Sequence, residues 1–140
     1  MRVVLDTNVI VAAMRSPAGA SAALLRAARQ GRITLMANVA LALECQATCH
    51  RAEHVLASGL TAHQVEIFVD AVIATAHPVE THFLWRPQLR DPADEFVLEA
   101  AVNGGAAAIV TFNQRDFSSV SVRFGIDVVN PRTCLQRISS

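Results

Sequence analysis

The chain has 140 residues, 52% of them apolar, with twelve basic residues balancing twelve acids. That length fits one domain, residues 1–140, with a core that needs no staples. The zero net charge lacks the basic excess of many nucleic-acid binders, and no apolar run reaches membrane-spanning length, so the expectation is a soluble, cytoplasmic protein without a membrane partner.

Val3-Val4-Leu5 reads as a strand apolar on both faces, as a central parallel strand requires. It runs straight into Asp6-Thr7-Asn8. Asp6 sits where the strand leaves the sheet, the place where open α/β sheets bind ligands. An acid there either caps the next turn or helix or meets a cation, and both readings stand. Residues 11–14 suggest a helical turn, Ser16-Pro17-Ala18-Gly19 a break, and residues 21–29 a helix stopped by Gly31. Residues 33–36 form a second predicted strand, and Asn38 caps a helix carrying Leu41, Cys45, Thr48, Ala52, Val55 and Leu56 on one stripe. Thr61-Ala62-His63-Gln64 has the capping-box pattern. Behind it Val65, Phe68, Val69, Val72, Ile73 and Ala76 mark the clearest amphipathic helix, closed by His77-Pro78. Residues 79–84 read as extended and 85–87 as loop. Asp91-Pro92-Ala93-Asp94 opens another helix, with proline at its favoured first position, and Gly104-Gly105 ends it. Residues 107–111 and 126–129 are the third and fourth strands, and Asn130-Pro131 starts a short last helix. Strands alternating with helices predict an α/β fold with a parallel sheet flanked by helices.

All twelve bases are arginine, which suits bidentate phosphate contacts where several share a face. Three cysteines, an odd number, read as free thiols. Cys45, Cys49, His50 and His54 look like a zinc set. On one helix the histidines would lie roughly 100–140° from the cysteines, so the four cannot converge. The cysteines read instead as core and the histidines as surface.

Four acids sit where a structural role explains them poorly. Asp6 ends the first strand. Glu44 lies three residues after Leu41 and borders the buried stripe. Asp94, Val97, Leu98 and Ala101 are spaced i, i+3, i+4, i+7, so Asp94 heads an apolar stripe, whereas Glu99 falls away from it. The macrodipole explains an acid in the first turn but not that inward register. Asp91, before Pro92, reads as a helix cap ahead of a metal ligand. Asp116 follows the third strand in Thr111-Phe112-Asn113-Gln114-Arg115-Asp116-Phe117, where Asn113 and Asp116 also suit a turn. Carboxylates gathered at one sheet edge repel each other and call for a divalent cation, and oxygen ligands suit Mg²⁺ or Mn²⁺. No serine stands in a nucleophile elbow and no glycine-rich phosphate loop follows a strand.

Asp6-Thr7-Asn8 after its strand, Glu44, Asp94 before an alanine-rich helix ending in Gly-Gly-Ala, and the segment from Thr111 to Phe117 together resemble the PIN domain. More narrowly, they resemble the PIN group of toxins from toxin–antitoxin systems. Arg51-Ala52-Glu53-His54, Phe83-Leu84-Trp85-Arg86-Pro87 and Leu89-Arg90-Asp91-Pro92-Ala93-Asp94-Glu95 extend the likeness to essentially the whole chain. The resemblance implies an α/β/α sandwich and a ribonuclease with an acidic pocket for Mg²⁺ or Mn²⁺. Its acidic quartet falls on Asp6, Glu44, Asp94 and Asp116, with Thr7, Asn8, Asp91 and Asn113 as polar supports and Glu95 at the rim. The chain departs from close relatives after Glu44, where Cys45 and Gln46 replace an aromatic residue and a second acid. Arg15, Arg86, Arg90 and Arg115 are candidates for holding an RNA backbone, with a solvated surface charge as the equal alternative. An antitoxin and a second copy of the chain are the expected protein partners. Two competing functions are a non-catalytic PIN-like interaction module and a metal-dependent enzyme acting on DNA or another phosphoester.

Overall fold

A computed structural model of the chain describes residues 1–80, 89 and 91–139. Five short strands build one parallel sheet: β1 (Arg2–Leu5), β2 (Thr34–Ala37), β3 (His77–Pro78), β4 (Ala108–Val110) and β5 (Asp127–Val129). Their order across the sheet is β3-β2-β1-β4-β5. The chain builds outward from β1 on one side, then returns to build outward on the other. The reversal falls between β1 and β4, and ligands in open α/β sheets bind at such a switch point, beyond the carboxyl ends of the strands. Leu5 and Val110 are partners at those ends.

The central strands are rich in β-branched residues and enclosed at their centres: Val3, Val4, Ala108, Ile109 and Val110 have no exposed surface. Helices α1 (Thr7–Arg15) and α2 (Ala20–Arg29) follow β1. Then α3 (Val39–Cys49), α4 (Ala52–Ser58) and α5 (Ala62–Thr75) lie between β2 and β3. Helix α6 (Pro92–Gly104) packs across β1, β2 and β4. Helix α7 (Gln114–Phe124) rests against β5, and α8 (Pro131–Ser139) against α2. The caps fall as predicted: Asn38 accepts from the Leu41 amide, and Thr61 with Gln64 completes a capping box. Gly104 and Gly105 differ in purpose. A Cβ on Gly104 would press on Val79 Cγ2 at 3.0 Å, whereas Gly105 takes φ +62 to end α6.

Four sequence expectations change. The single helix expected from Leu41 to Leu56 is two, because Arg51 is extended (φ −63, ψ 137) and caps α4. Val55 still packs on the core, but Leu56 turns outward at 84% exposure. The strand placed at 79–84 begins earlier, at His77–Pro78, with the Val79 amide continuing the ladder to the Ala37 carbonyl. Residues 81–88 lie outside the described residues. The Asn113–Asp116 segment is no simple turn but the start of α7, pinned by the fully buried Phe117. Lastly, Glu95 and Glu99 are each only 4% exposed, so neither is a rim or surface residue. Glu95 Oε1 accepts from the Leu89 amide at 2.7 Å, which explains how the interior tolerates it.

Candidate active site

Asp6 is held by both neighbours of the switch point. Its Oδ1 accepts from the Thr7 amide at 2.8 Å as the cap of α1. Its Oδ2 accepts from Thr111 Oγ1, also at 2.8 Å, at the end of β4. Thr111 is fully buried, and its hydroxyl oxygen also accepts from the Asn113 amide. The cap and ligand readings of Asp6 are therefore compatible: the strand-end hydrogen bonds fix the carboxylate at the mouth of the site.

A cleft of about 570 Å³ opens there, lined by Asp6, Glu44, Asp91 and Asp94 together with Thr7, Asn8 and Asn113. Asp91 caps α6 by accepting from the Ala93 amide and still faces the cleft. Asp116 stands exposed in the first turn of α7, outside the lining, and is close enough for its charge to act on Asp6 and Asp94. Of the arginines proposed for RNA, Arg15 lines the cleft and Arg115 is exposed outside its lining; Arg86 and Arg90 lie outside the described residues.

The electrostatics are those of crowded carboxylates. Burial, then the charges of Asp6, Asp91, Asp116 and Glu44, push the Asp94 carboxyl up to about 7. Burial also raises Asp6, against the pull of its hydrogen bonds to Thr111 and Thr7. Glu44 is raised by burial and by Asp91 and Asp6, with Arg51 acting in the opposite direction. Among the described residues, no three His, Cys, Asp or Glu side chains come close enough to share an ion. The acids share the cleft rather than a single point. Asn8 adds a second sign of an absent partner: its Oδ1 is buried with no hydrogen-bond partner among the described residues. An oxygen-only donor set that resists ionisation, beside an orphaned acceptor, fits a hard divalent cation.

Cys45 and Cys49 are buried in the core, as expected. Cys45 Sγ lies 3.7 Å from Thr7 Oγ1, and burial lifts its thiol to about 11. His50 is exposed, but His54 is not the surface residue expected of it. It is half-buried, lines the cleft and stands 3.5 Å from Arg15. Sequence reasoning gave no role to Thr111, Arg51 or His54. Thr111 carried a usable signal, a polar side chain at the carboxyl end of a strand; Arg51 and His54 belong to a stretch that supports the resemblance, but their spacing alone gave them no place in the cleft.

The PIN-domain family model matches residues 2–115. The chain belongs to the PIN-domain family. PIN domains are nucleases, so the cleft is the place to look for hydrolysis of phosphodiester bonds. A solved structure, VapBC2 from Rickettsia felis bound to a DNA fragment from its promoter, shares this PIN fold with a TM-score of 0.64. It covers 93% of this chain and 98% of its own, at 15% identity. No curated protein matches this chain in sequence. No single described helix is long and apolar enough to cross a membrane.

Proposed function

We propose that this PIN domain is a Mg²⁺- or Mn²⁺-dependent endoribonuclease, the toxin of a toxin–antitoxin pair acting in the cytoplasm. The observation that carries the reading is Asp94, whose carboxyl is pushed up to about 7 beside three other cleft acids and Asp116. Such a cluster is stable as anions only around a cation. Asp6, Glu44 and Asp94, which share the cleft without converging on one point, would draw together to hold it, with Asp116 at the edge and Asn8 Oδ1 as a further acceptor. When bound, the cation supplies Lewis-acid stabilisation of charge on the phosphoryl oxygens and lowers the pKa of water.

The chain's own residues do the rest. Thr7 and Thr111 lock the Asp6 carboxylate, so it needs no reorganisation when substrate arrives. Among the described residues, no hydroxyl lining the cleft (Thr7, Ser16 or Thr48) is hydrogen-bonded to a histidine or a carboxylate. Behind the lining, Thr111 Oγ1 is committed to Asp6 and Asn113, and the Cys45 thiol at about 11 stays protonated at neutral pH. Water is therefore the nucleophile, and in-line attack leaves a 5′-phosphate and a 3′-hydroxyl. Incubating the protein with single-stranded RNA, single-stranded DNA and bis(p-nitrophenyl) phosphate tests this. Preferential RNA cleavage with those ends is expected. A 2′,3′-cyclic phosphate would overturn the water mechanism, and preference for DNA would overturn the substrate. Hydrolysis of none would favour a purely protein-binding module.

The shared fold with VapBC2 and the resemblance to PIN toxins support an antitoxin partner. A homodimer is supported by apolar side chains on α3 and α5, with Val39 75% and Leu43 60% exposed beside a largely apolar groove. Light scattering should give twice the chain mass of 15.0 kDa; a monomer at micromolar concentration would contradict it.

A further inference from the structure

The cleft has two ends of opposite charge. On α1, Asn8, Ala12 and Arg15 line it; across from them, Glu44 and Thr48 on α3 lead to Arg51. Asn8, Ala12 and Arg15 are spaced i, i+4, i+7 on α1, and Arg51 stands at the break after α3, so both sides run from the acidic end to an arginine. Seven residues of α1 span roughly 10 Å, so Arg15 is set well back from Asn8 and the acidic end. Neither serves as a counter-ion to Asp6 or Asp94. Among the described residues the charges acting on Asp6 and Asp94 are carboxylates, and only Glu44 feels Arg51. Arg15 in the last turn of α1 suits the helix dipole, but that accounts for neither Arg51 nor His54.

His54 faces the Arg15 guanidinium through Nδ1 at 3.5 Å and Glu53 through Nε2 at 3.8 Å. Arginine can only donate, so Nδ1 accepts and Nε2 carries the proton toward the carboxylate. The ring is thereby oriented to steady a guanidinium that would otherwise sweep through solvent.

We propose that Arg15 and Arg51 form a second phosphate subsite, with His54 as the positioning residue for Arg15. The subsite takes a phosphate neighbouring the one that is cut, and so selects a polynucleotide strand over an isolated phosphodiester. This rests on the nuclease reading of the acidic end.

Two substrates separate the ends of the cleft: a short single-stranded oligoribonucleotide and bis(p-nitrophenyl) phosphate, which has a single phosphate. Arg15→Gln and Arg51→Gln should each lower the ratio of kcat/KM for the first over the second by about tenfold, chiefly through KM. Anisotropy of a fluorescent oligoribonucleotide should show the slope of log affinity against log salt falling by about 0.7 per arginine. His54→Leu should reproduce a smaller part of the Arg15→Gln loss and add nothing to it, and His54→Asn, which retains an acceptor, should recover most of it. An unchanged ratio and salt slope with RNA still cleaved would overturn the subsite and leave the nuclease reading standing. Equal losses on both substrates would place the arginines in the reacting centre and also overturn it. Failure of the wild type to bind or cleave RNA would overturn both.

Discussion

Asp94→Asn should melt higher than wild type in EDTA while losing nuclease activity. Asparagine keeps the shape and removes one of five neighbouring negative charges acting at this end of the sheet. The helix dipole loses a favourable partner at the start of α6, about 0.3–1 kcal/mol. Against that stands the cost of ionising a carboxyl whose folded pKa, about 7, lies above its ordinary 3.8. Discounted for solvent screening at a half-exposed position, relief of that cost is on the order of 1–2 kcal/mol. The net gain should be visible at about 2–4 °C per kcal/mol for a chain of this size.

The pH dependence has a definite sign. A carboxyl with a raised folded pKa binds its proton more tightly in the native state, so stability falls as pH rises from about 4 to about 7 and then levels off. The melting-temperature gap between Asp94→Asn and wild type should therefore open across that window and stay open above it. Asp6 and Glu44 shift in the same direction and remain in both proteins, so the difference between the two is the quantity to read. Melting curves in EDTA from pH 4 to 8 measure it. A variant that melts lower throughout, yet still cleaves RNA, would reduce Asp94 to a helix-end residue.

Much of this site was legible because two local patterns survive folding. A β-branched run ending in a polar residue places Asp6 at a carboxyl end, and the i, i+3, i+4, i+7 register turns Asp94 into the cleft. Caps at Asn38, Thr61 and Asp91 arise from side-chain chemistry within three residues. What was hidden depends on distant partners. Helix α7 reads as polar because most of its described side chains face solvent and Phe117 is the fully buried anchor among them, so no stripe announces it. Glu95 and Glu99 go inside because α6 packs against the sheet, α3 and α7, leaving it little solvated face. The α3–α4 break keeps helical spacing on either side, so periodicity runs through it unmarked. That break and the packing of α4 on α1 bring His54 to Arg15 across 39 residues, a meeting that no local pattern encodes.

The second large effect is withdrawal of the divalent ion. Among the described residues, the cleft gathers carboxylates raised by burial and mutual repulsion, leaves Asn8 Oδ1 without a partner, and offers no activated side-chain nucleophile. Without a cation, the described residues at the acidic end offer only carboxylates to a phosphoryl group and no means of activating water near neutral pH, so the loss should be far larger than removal of one hydrogen bond, which costs about 10²–10³-fold. A cation that binds only the folded state should also raise the melting temperature with its concentration. Asp6→Asn is the control for contaminating ribonuclease: its amide can still accept from the Thr7 amide, so the fold should persist while the charge is lost. The most direct measurement is cleavage of single-stranded RNA by rigorously metal-stripped protein as Mn²⁺ or Mg²⁺ is titrated back. Activity absent without metal, restored with it, and never restored in Asp6→Asn is the predicted result; full activity of metal-free wild type, absent from Asp6→Asn prepared in parallel, would contradict it.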